Sequence, residues 1–230
     1  MGQVSTPQTT PEMIERLDAG LELLGLSQEA PERRAALLRY LSELQLWNRK
    51  LGLVEAEGDE LVVRHVLDCL TPLSIVRSYS PVTVADLGSG AGLPGIPLAI
   101  YMDSSQFALV ERSGRRVGFL KNVVALLGLK NVSICESDFT RHTPTNAAHA
   151  GYDLISFRAF RPFSEELIVG IRRILSPGGV VAAYKGRDEN VAEDARLLQA
   201  VGAITEIVPL EVPFLKHERN ILLARFPSGS

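Results

Sequence analysis

The class of fold is decided by one stretch of sequence, which reads Ala85-Asp86-Leu87-Gly88-Ser89-Gly90-Ala91-Gly92-Leu93-Pro94-Gly95. It follows an apolar run, 82–87, that predicts a buried strand, and it precedes an apolar segment that predicts a helix up to about Met102. Glycines let a turn adopt backbone conformations closed to other residues and let a ligand approach the backbone closely. A glycine-rich turn between a strand and a helix is where an open parallel sheet binds its ligand.

Short apolar runs alternate with amphipathic segments on the carboxyl side of this turn. The runs predict four further strands, at 107–111, 132–136, 152–157 and 180–185. One helix is predicted between Ser113, as its N-cap, and Gly128, as its C-terminal stop. Two others are predicted near 162–175 and 189–201. The stretch 175–179, Leu-Ser-Pro-Gly-Gly, is typical of a turn that stops a helix.

The last two apolar runs, 204–212 and 220–226, are joined by a short loop without a helix and therefore predict a hairpin. The alternation before them predicts a parallel sheet with right-handed crossovers. The hairpin makes the final strand antiparallel to the others. The predicted fold class is α/β, with a Rossmann-like, mostly parallel seven-stranded sheet that ends in an antiparallel hairpin.

Helices dominate the segment that precedes the sheet. Apolar stripes with helical spacing predict helices at 12–24, 31–48 and 59–78. The polar stretch before them lacks the basic start and apolar core of a signal peptide, and it is predicted to be disordered. We therefore predict three parts: a lead-in, 1–11, a small N-terminal helical cap, 12–80, and a ligand-binding domain, 81–230.

Composition narrows the class of protein. Hydrophobic residues make up 46% and charged residues 22% of the 230 residues, which is the balance of a soluble globular protein. No apolar run approaches the ~18 residues of a membrane helix, so we expect no membrane partner. Cys69 and Cys135 lie in apolar segments without metal-ligand spacing, which predicts reduced thiols in a cytoplasmic protein.

One segment is basic although the chain as a whole carries a net charge of −3. Residues 112–121, which follow Glu111, contain no acid and four cations, Arg112, Arg115, Arg116 and Lys121. Such a stretch is compatible with a local basic face for nucleic acid and with an ordinary solvated helix face, and the sequence alone leaves both open.

The glycine stretch has two interpretations. Gly90, Gly92 and Gly95 satisfy the dinucleotide fingerprint, with Glu111 about 20 residues later to hold ribose hydroxyls. Alternatively, Asp86 at a strand end, followed by three alternate glycines beginning at Gly88, is typical of an S-adenosylmethionine loop.

Three features favour S-adenosylmethionine. Asp86 would place a negative charge near the ligand, which suits a cationic methionyl group and would repel a pyrophosphate. Asp138, just after the third strand, is placed to accept from an adenine amino group. The sheet closes with a hairpin, the topology of class I methyltransferases, and there is no second domain for a dehydrogenase substrate.

A more specific resemblance extends from about residue 20 to 226. The run 90–100, Gly-Ala-Gly-Leu-Pro-Gly-Ile-Pro-Leu-Ala-Ile, resembles the signature of the RsmG (GidB) family of 16S ribosomal RNA guanine-N7 methyltransferases. Shorter matches are Leu46-Trp47-Asn48, Arg64-His65-Val66-Leu67-Asp68, Arg115-Arg116-Val117 with Phe119-Leu120, Arg158-Ala159-Phe160, Lys185-Gly186 and Glu218-Arg219. The family usually has Asn-Leu-Thr at 52–54, serine at Phe157 and histidine at Asn220.

The resemblance implies an enzyme that uses S-adenosylmethionine, with S-adenosylhomocysteine as product, to methylate guanine 527 in the 530 loop of 16S rRNA. The implied partner is 16S rRNA within the small ribosomal subunit or its precursor, and the protein is expected to be a cytoplasmic monomer. The departures lie outside the glycine stretch, which is intact.

The resemblance also implies roles for individual residues. The expected cofactor-binding residues are Asp86, Gly88, Gly90, Gly92, Leu93, Glu111, Asp138, Phe139 and Arg158. The catalytic candidates, at the carboxyl ends of two strands, are Arg158 and Lys185. The RNA-binding candidates are Arg115, Arg116, Lys121 and His65. A salt bridge is the plainer alternative for Arg158.

The chemistry agrees with the lack of an obvious nucleophile–base pair. Guanine N7 has an in-plane lone pair and no proton to remove, so in-line attack on a sulfonium methyl group needs no dedicated general base. Positioning alone is worth roughly 7–11 kcal/mol in effective-molarity terms.

Several alternatives stay open at this point. His65 and Asp68 lie three residues apart, on one helix face. Two roles stay open for them: a functional pair in the site, or a structural pair that docks the cap onto the sheet. His142, His149 and His217 show no ligand spacing, so no metal is predicted. The chain could instead methylate another substrate, bind cofactor and ribosome precursor without catalysis, or be a nicotinamide-dependent oxidoreductase.

Overall fold

A computed structural model describes residues 9–144, 151–159, 163–186 and 188–227, and the side chains of 188–190 are outside this description. Most of the predicted lead-in, with Phe160 and His149, lies outside the described residues. The helices are α1 (Pro11–Leu23), α2 (Pro31–Leu51), α3 (Asp59–Leu61), α4 (Asp68–Leu70), α5 (Leu73–Ser78), α6 (Gly95–Tyr101), α7 (Gly114–Leu127), α8 (Glu165–Ile174) and α9 (Asp188–Ala200). A π-helical segment, Val62–Leu67, joins α3 to α4.

The described strands form one seven-stranded sheet. They are β1 (Thr83–Leu87), β2 (Gln106–Glu111), β3 (Val132–Glu136), β4 (Tyr152–Arg158), β5 (Leu175–Lys185), β6 (Ile204–Leu210) and β7 (Arg219–Arg225). Their order is β3-β2-β1-β4-β5-β7-β6. The first five strands are parallel, and β7 is antiparallel to both of its neighbours. The predicted fold class is confirmed.

The strand order reverses direction at β1, whose neighbours are β2 and β4. In an open α/β sheet a ligand binds outside the carboxyl ends of the strands at such a switch point. The glycine-rich turn follows β1 and therefore lies at this point. The topology thus places the turn predicted to bind a ligand where a ligand site is expected.

The structure corrects two details of the predicted elements. The helix predicted at 59–78 is interrupted by the π-helical segment and by a turn at Thr71–Pro72, because proline cannot donate the backbone hydrogen bond that a continuing helix requires. The stretch 175–179, predicted as a turn, belongs to β5, and its register with β4 shifts between Tyr152 and Leu154.

Ser113 stands at the N-cap of α7, as predicted, but its side chain makes no capping hydrogen bond. Its backbone N–H instead donates to Glu111 Oε1 at 2.8 Å. Gly128 ends α7 in the left-handed conformation with φ of +64°, as its C-terminal role requires.

The helices before β1 pack onto one face of the sheet and share its core. A single cluster of buried side chains includes Leu41 of α2, Ile96 of α6 and Leu154 of β4. A Cβ atom on Gly20 of α1 would lie only 2.3 Å from Leu67 Cδ1, so glycine is what allows α1 to approach the π-helical segment this closely. The division into 1–11, 12–80 and 81–230 remains a prediction.

The opposite face of the sheet is covered by α8 and α9, whose buried residues include Leu167, Ile171 and Leu198. The central strands β1, β4 and β5 are therefore buried on both faces, as parallel sheets require. Within the described ranges, none of the helices has the length and apolar character needed to cross a membrane.

Candidate active site

Asp86 of β1 fixes the glycine turn through two hydrogen bonds. Asp86 Oδ2 accepts hydrogen bonds from Ser89 Oγ at 2.6 Å and from the Gly95 N–H at 3.1 Å. Gly88 and Gly90 have φ of +65° and +58°, which favour glycine. The carboxylate predicted to face the ligand is thus fully buried and fixes the loop, and its direct contact with a cofactor stays a prediction.

The Asp86 carboxyl is buried enough to titrate abnormally. Burial raises its pKa to about 7, against the hydrogen bonds from Ser89 and Gly95, which lower it. Its Oδ1 atom is buried with no hydrogen-bond partner in the part of the chain that the structure describes. Desolvation of the charged form is the main cause.

Leu93 and Gly92 contribute to the turn through packing. Leu93 is buried in the core shared with the cap. A Cβ atom on Gly92 would lie 2.3 Å from Ile96 Cδ1, so this glycine lets α6 pack closely under the turn. The Tyr40 hydroxyl of α2 donates to the Ala91 carbonyl oxygen at 2.8 Å and ties the turn to the cap.

A cleft of about 180 Å³, which we call the smaller cleft, opens at the carboxyl ends of β1, β2 and β3. Its described lining consists of Gly88, Val110, Glu111, Arg112, Arg116, Ser137, Asp138, Phe139 and Ala159. Four of the predicted cofactor residues, Gly88, Glu111, Asp138 and Phe139, are thereby brought together.

Glu111 is oriented by two backbone donors in the smaller cleft. Its Oε2 accepts from the Gly90 N–H at 2.9 Å and its Oε1 from the Ser113 N–H at 2.8 Å. A carboxylate offers about four lone-pair sites. The Glu111 carboxylate therefore retains capacity for two more donors, which fits the vicinal hydroxyls of a ribose.

Asp138 and Phe139 form the far end of the smaller cleft. Asp138 Oδ1 accepts from the backbone N–H and the hydroxyl of Thr140, at 3.0 and 2.8 Å. Asp138 Oδ2 lies 3.6 Å from Arg112 Nη1. An acceptor beside a buried aromatic ring fits a purine with an exocyclic amino group.

A second cleft of about 810 Å³, the larger cleft, lies at the carboxyl ends of β4 and β5 beneath the cap. Its described lining consists of Arg64, His65, Asp68, Phe157, Arg158, Ala159, Phe163, Tyr184, Lys185, Gly186, Glu193, Asp194, Leu197, Leu210, Arg219 and Asn220. Ala159 lines both clefts, so they adjoin at the end of β4. Its φ of +48° is strained for alanine, and such strain is commonest at functional sites.

Arg158 at the end of β4 is bonded mainly to the cap. Its Nη1 donates to the Arg64 carbonyl oxygen at 2.8 Å and to Asp68 Oδ2 at 2.9 Å. Its Nη2 donates to His65 Nδ1 at 2.8 Å. The salt bridge considered for Arg158 is therefore present.

His65 is a neutral acceptor in this cluster. Burial, followed by the charges of Arg158, Arg64 and Arg219, lowers its pKa to about 3. Since Nδ1 accepts from a guanidinium, which has no acceptor of its own, the ring proton is assigned to Nε2. The structure thus gives His65 a docking role, and its predicted contact with RNA stays a prediction.

Lys185 at the end of β5 is anchored by a carboxylate and an aromatic ring. Its Nζ lies 2.6 Å from Asp194 Oδ2 on α9 and 5.1 Å from the centre of the Phe163 ring. The two catalytic candidates, Arg158 and Lys185, thus line the same cleft on adjacent strands.

Sequence reasoning assigned no role to two charged side chains of the larger cleft, those of Arg219 and Asp194. Asp68 Oδ1 lies 3.2 Å from Arg219 Nε, so one buried carboxylate pairs with both Arg158 and Arg219. Asp194 holds Lys185, and Arg64 supplies a carbonyl oxygen. The Glu218-Arg219 match was the available signal for Arg219, whereas a single acid on an amphipathic helix gave none for Asp194.

The RNA-binding candidates of α7 lie outside the larger cleft. Arg115, Arg116 and Lys121 are exposed, and Arg116 Nη1 lies 3.9 Å from Glu111 Oε2 at the rim of the smaller cleft. We call these three exposed cations of α7, the helix that follows β2, the basic patch.

A sequence profile described as rRNA small subunit methyltransferase G matches residues 33–222. The chain belongs to the rRNA small subunit methyltransferase G family. The member from Treponema pallidum strain Nichols is 34% identical over 226 residues, 96% of this chain and 98% of its own length. The member from Stenotrophomonas maltophilia strain R551-3 is 38% identical over 215 residues, 92% of this chain and 94% of its own.

Solved structures support the fold of this family member. A SAM-dependent methyltransferase from Aquifex aeolicus matches with a TM-score of 0.55 at 21% identity, over 69% of this chain and 91% of its own. A precorrin-6y C5,15-methyltransferase from Geobacter metallireducens gives a TM-score of 0.52 at 17% identity, over 67% and 87%. The likeness shows a class I methyltransferase fold.

The family departures have structural explanations at two of the three places. Asn48 pairs through its side-chain amide with both backbone groups of Val54, so this contact is independent of the side chain at 54. Asn220 Nδ2 donates to the Gly186 carbonyl oxygen at 3.0 Å. Phe157 is buried and packs edge-to-face against Phe163. Nothing in the structure explains why phenylalanine stands at 157.

No group of three candidate ligands that could hold a metal ion occurs in the described portion. His142 Nε2 lies 2.8 Å from the Tyr152 hydroxyl, and its ring stacks on that of Tyr152. Cys69 and Cys135 are both free thiols.

The buried position of Asp86 predicts a pH-dependent stability. A carboxyl whose pKa is about 7 in the native state and 3.8 otherwise binds more protons when folded, so its ionisation costs stability as pH rises from about 4 to about 7. Asp86→Asn keeps an oxygen acceptor and removes the titration. In urea unfolding, the free energy of unfolding of the wild type should fall relative to that of Asp86→Asn by up to about 1.4 kcal/mol per pH unit between pH 5 and 7. It should not fall further above pH 8. A difference that does not vary with pH would contradict this prediction.

Proposed function

We propose that the chain is an S-adenosylmethionine-dependent methyltransferase that modifies guanine N7 in 16S rRNA, at guanine 527 of the 530 loop. The observation that carries this proposal is the pair of clefts that adjoin at Ala159, beside a carboxylate suited to ribose and beneath a cap. Family membership supports rRNA of the small subunit as the substrate.

We assign the smaller cleft to the cofactor. Glu111 would accept from the ribose hydroxyls, the Gly88 backbone would lie against the methionyl part, and Asp138 with Phe139 would hold the adenine. When bound, S-adenosylmethionine supplies a methyl group activated by a positively charged sulfur. The direct contacts of Asp86, Gly90, Gly92, Leu93 and Arg158 with the cofactor belong to the same proposal.

We assign the larger cleft to the target guanine, unstacked from its neighbours. A base inside a folded RNA cannot reach a cleft at the edge of a sheet unless it is turned out of its stack. Lys185 has three N–H donors, and one serves Asp194 in the described contacts. The others are placed to hold a carbonyl oxygen of the base, which would fix N7 toward the smaller cleft.

The charged side chains of the larger cleft are paired with one another. Asp68 pairs with Arg158 and Arg219, and Asp194 pairs with Lys185. Arg158 and Lys185 keep these carboxylates oriented. Such preorganised charges need no rearrangement during transfer, and no side chain has to remove a proton.

We further propose that Arg115, Arg116 and Lys121 contact RNA phosphates, and that the protein acts as a cytoplasmic monomer on the small subunit or its precursor. Phosphate contacts position an RNA without reading its sequence. The position of Arg116 at the rim of the smaller cleft supports this assignment.

Transfer of labelled methyl groups tests the proposed reaction. Small ribosomal subunits lacking this modification are incubated with labelled S-adenosylmethionine, with large subunits and free 16S rRNA as controls. We expect label on one guanine N7 of the small-subunit RNA. Lys185→Met should lower kcat at least about tenfold, the scale of a lost positioning contact, with unchanged affinity for S-adenosylhomocysteine. Label elsewhere, or none despite tight cofactor binding, would contradict the assignment.

The basic patch predicts a salt-dependent affinity. Arg115→Ala and Lys121→Ala should each weaken binding to the small subunit and reduce the slope of log K against log salt by about 0.7–0.9. Arg225→Ala is the matched control, because Arg225 is an exposed cation on β7, which lies between β5 and β6 on the other side of the sheet from β2 and β3. Binding curves across salt concentrations measure the slopes, and equal slopes for all three variants would remove the patch from the proposal.

A further inference from the structure

Helix α8 contains a glycine in its interior, Gly170, which is buried. The rest of the helix is built for stability: Ser164 caps its first turn by accepting from the Leu167 N–H, and Arg172 and Arg173 lie in its last turn. An interior glycine costs a helix about 1 kcal/mol relative to alanine. A packing constraint is therefore expected at this position.

The constraint is the ring of Phe139. A Cβ atom on Gly170 would lie 3.0 Å from Phe139 Cε2 and 3.3 Å from Phe139 Cδ2, which is closer than carbon atoms normally approach. The aromatic ring therefore lies directly against the backbone of α8. Phe139 is also one of the residues that line the smaller cleft.

The backbone that carries Phe139 is held in place by separate contacts. Arg173 Nη2 donates to the carbonyl oxygens of Phe139 and His142, at 3.2 and 2.8 Å. The His142 ring is in turn bonded to the Tyr152 hydroxyl of β4. Because these contacts fix the loop to α8 and β4, a group added at Gly170 would displace the ring rather than the backbone.

We propose that Gly170 is a positioning residue that sets the depth of the smaller cleft at its base end. By lacking a side chain, it lets the Phe139 ring lie back against α8 and leaves room for a purine. This inference rests on the proposed function, which assigns that end of the cleft to the adenine of the cofactor. It identifies a residue that acts through Phe139 without touching the cofactor.

The proposal separates affinity from stability. In Gly170→Ala the ring yields toward the cleft, so the affinity for S-adenosylhomocysteine should fall about tenfold, the scale expected when one carbon overpacks a close-packed site. The unfolding midpoint should stay the same or rise, because alanine favours the helix. In methyl transfer, KM for S-adenosylmethionine should rise while kcat at saturation stays within about twofold, since the acceptor side is unchanged.

The chain offers a matched control. Gly118 is an exposed glycine within α7, and a Cβ atom there would meet nothing within 4 Å. Gly118→Ala makes the same chemical change in α7, where no aromatic ring lies beside the glycine. It should leave the affinity for S-adenosylhomocysteine unaltered.

Calorimetric titration of the full-length protein with S-adenosylhomocysteine tests the proposal, alongside thermal unfolding of each variant. Gly170→Ala is also introduced into a Phe139→Leu background, where the shorter side chain should reduce its effect on affinity to less than about twofold. Unchanged affinity in Gly170→Ala, an equal loss in the Phe139→Leu background, or failure to fold would overturn the proposal, because each shows that the ring does not yield into the cleft. Wild type that binds no S-adenosylhomocysteine would instead refute the proposed function.

Discussion

The arrangement of the site depends on one buried guanidinium, that of Arg158. It ends strand β4, where the two clefts adjoin, and it donates to Asp68, His65 and the Arg64 carbonyl oxygen of the cap. A buried cation is tolerated only when its donors are hydrogen-bonded. If the cap left the sheet, the Arg158 guanidinium would lose these partners. The residues that make these contacts also line the larger cleft.

The cap thereby serves both halves of the site. Through Tyr40 it holds the Ala91 carbonyl oxygen of the glycine turn, beside the smaller cleft. Through Asp68 it pairs with Arg158 and Arg219, in the larger cleft. Asp86 fixes the same turn from the sheet side. The relative position of the two clefts is therefore set by polar contacts made to a common apolar core, which suits a reaction that depends on alignment.

Local sequence was sufficient to predict the sheet and the residues that line the smaller cleft at the ends of β1, β2 and β3. The glycine turn, Glu111 and Asp138 follow consecutive strands, and the strand periodicity alone places them at one edge. Pro72 was a local signal for the break of the third cap helix. The orientation of Asp86 and the pairing of Lys185 with Asp194 could not be predicted, because tertiary contacts decide them. Arg158 and Asp68 are 90 residues apart in sequence, and periodicity carries no information about which buried charges will meet.

The claim that Arg158 holds the cap to the sheet is tested most directly by a double-mutant cycle. Unfolding free energies would be measured for wild type, Asp68→Asn, Arg158→Met and the double variant. We expect the double variant to lose less stability than the sum of the two single losses, by about 1–3 kcal/mol, because each substitution already breaks the shared ion pair. Losses that add to within about 0.5 kcal/mol would contradict it.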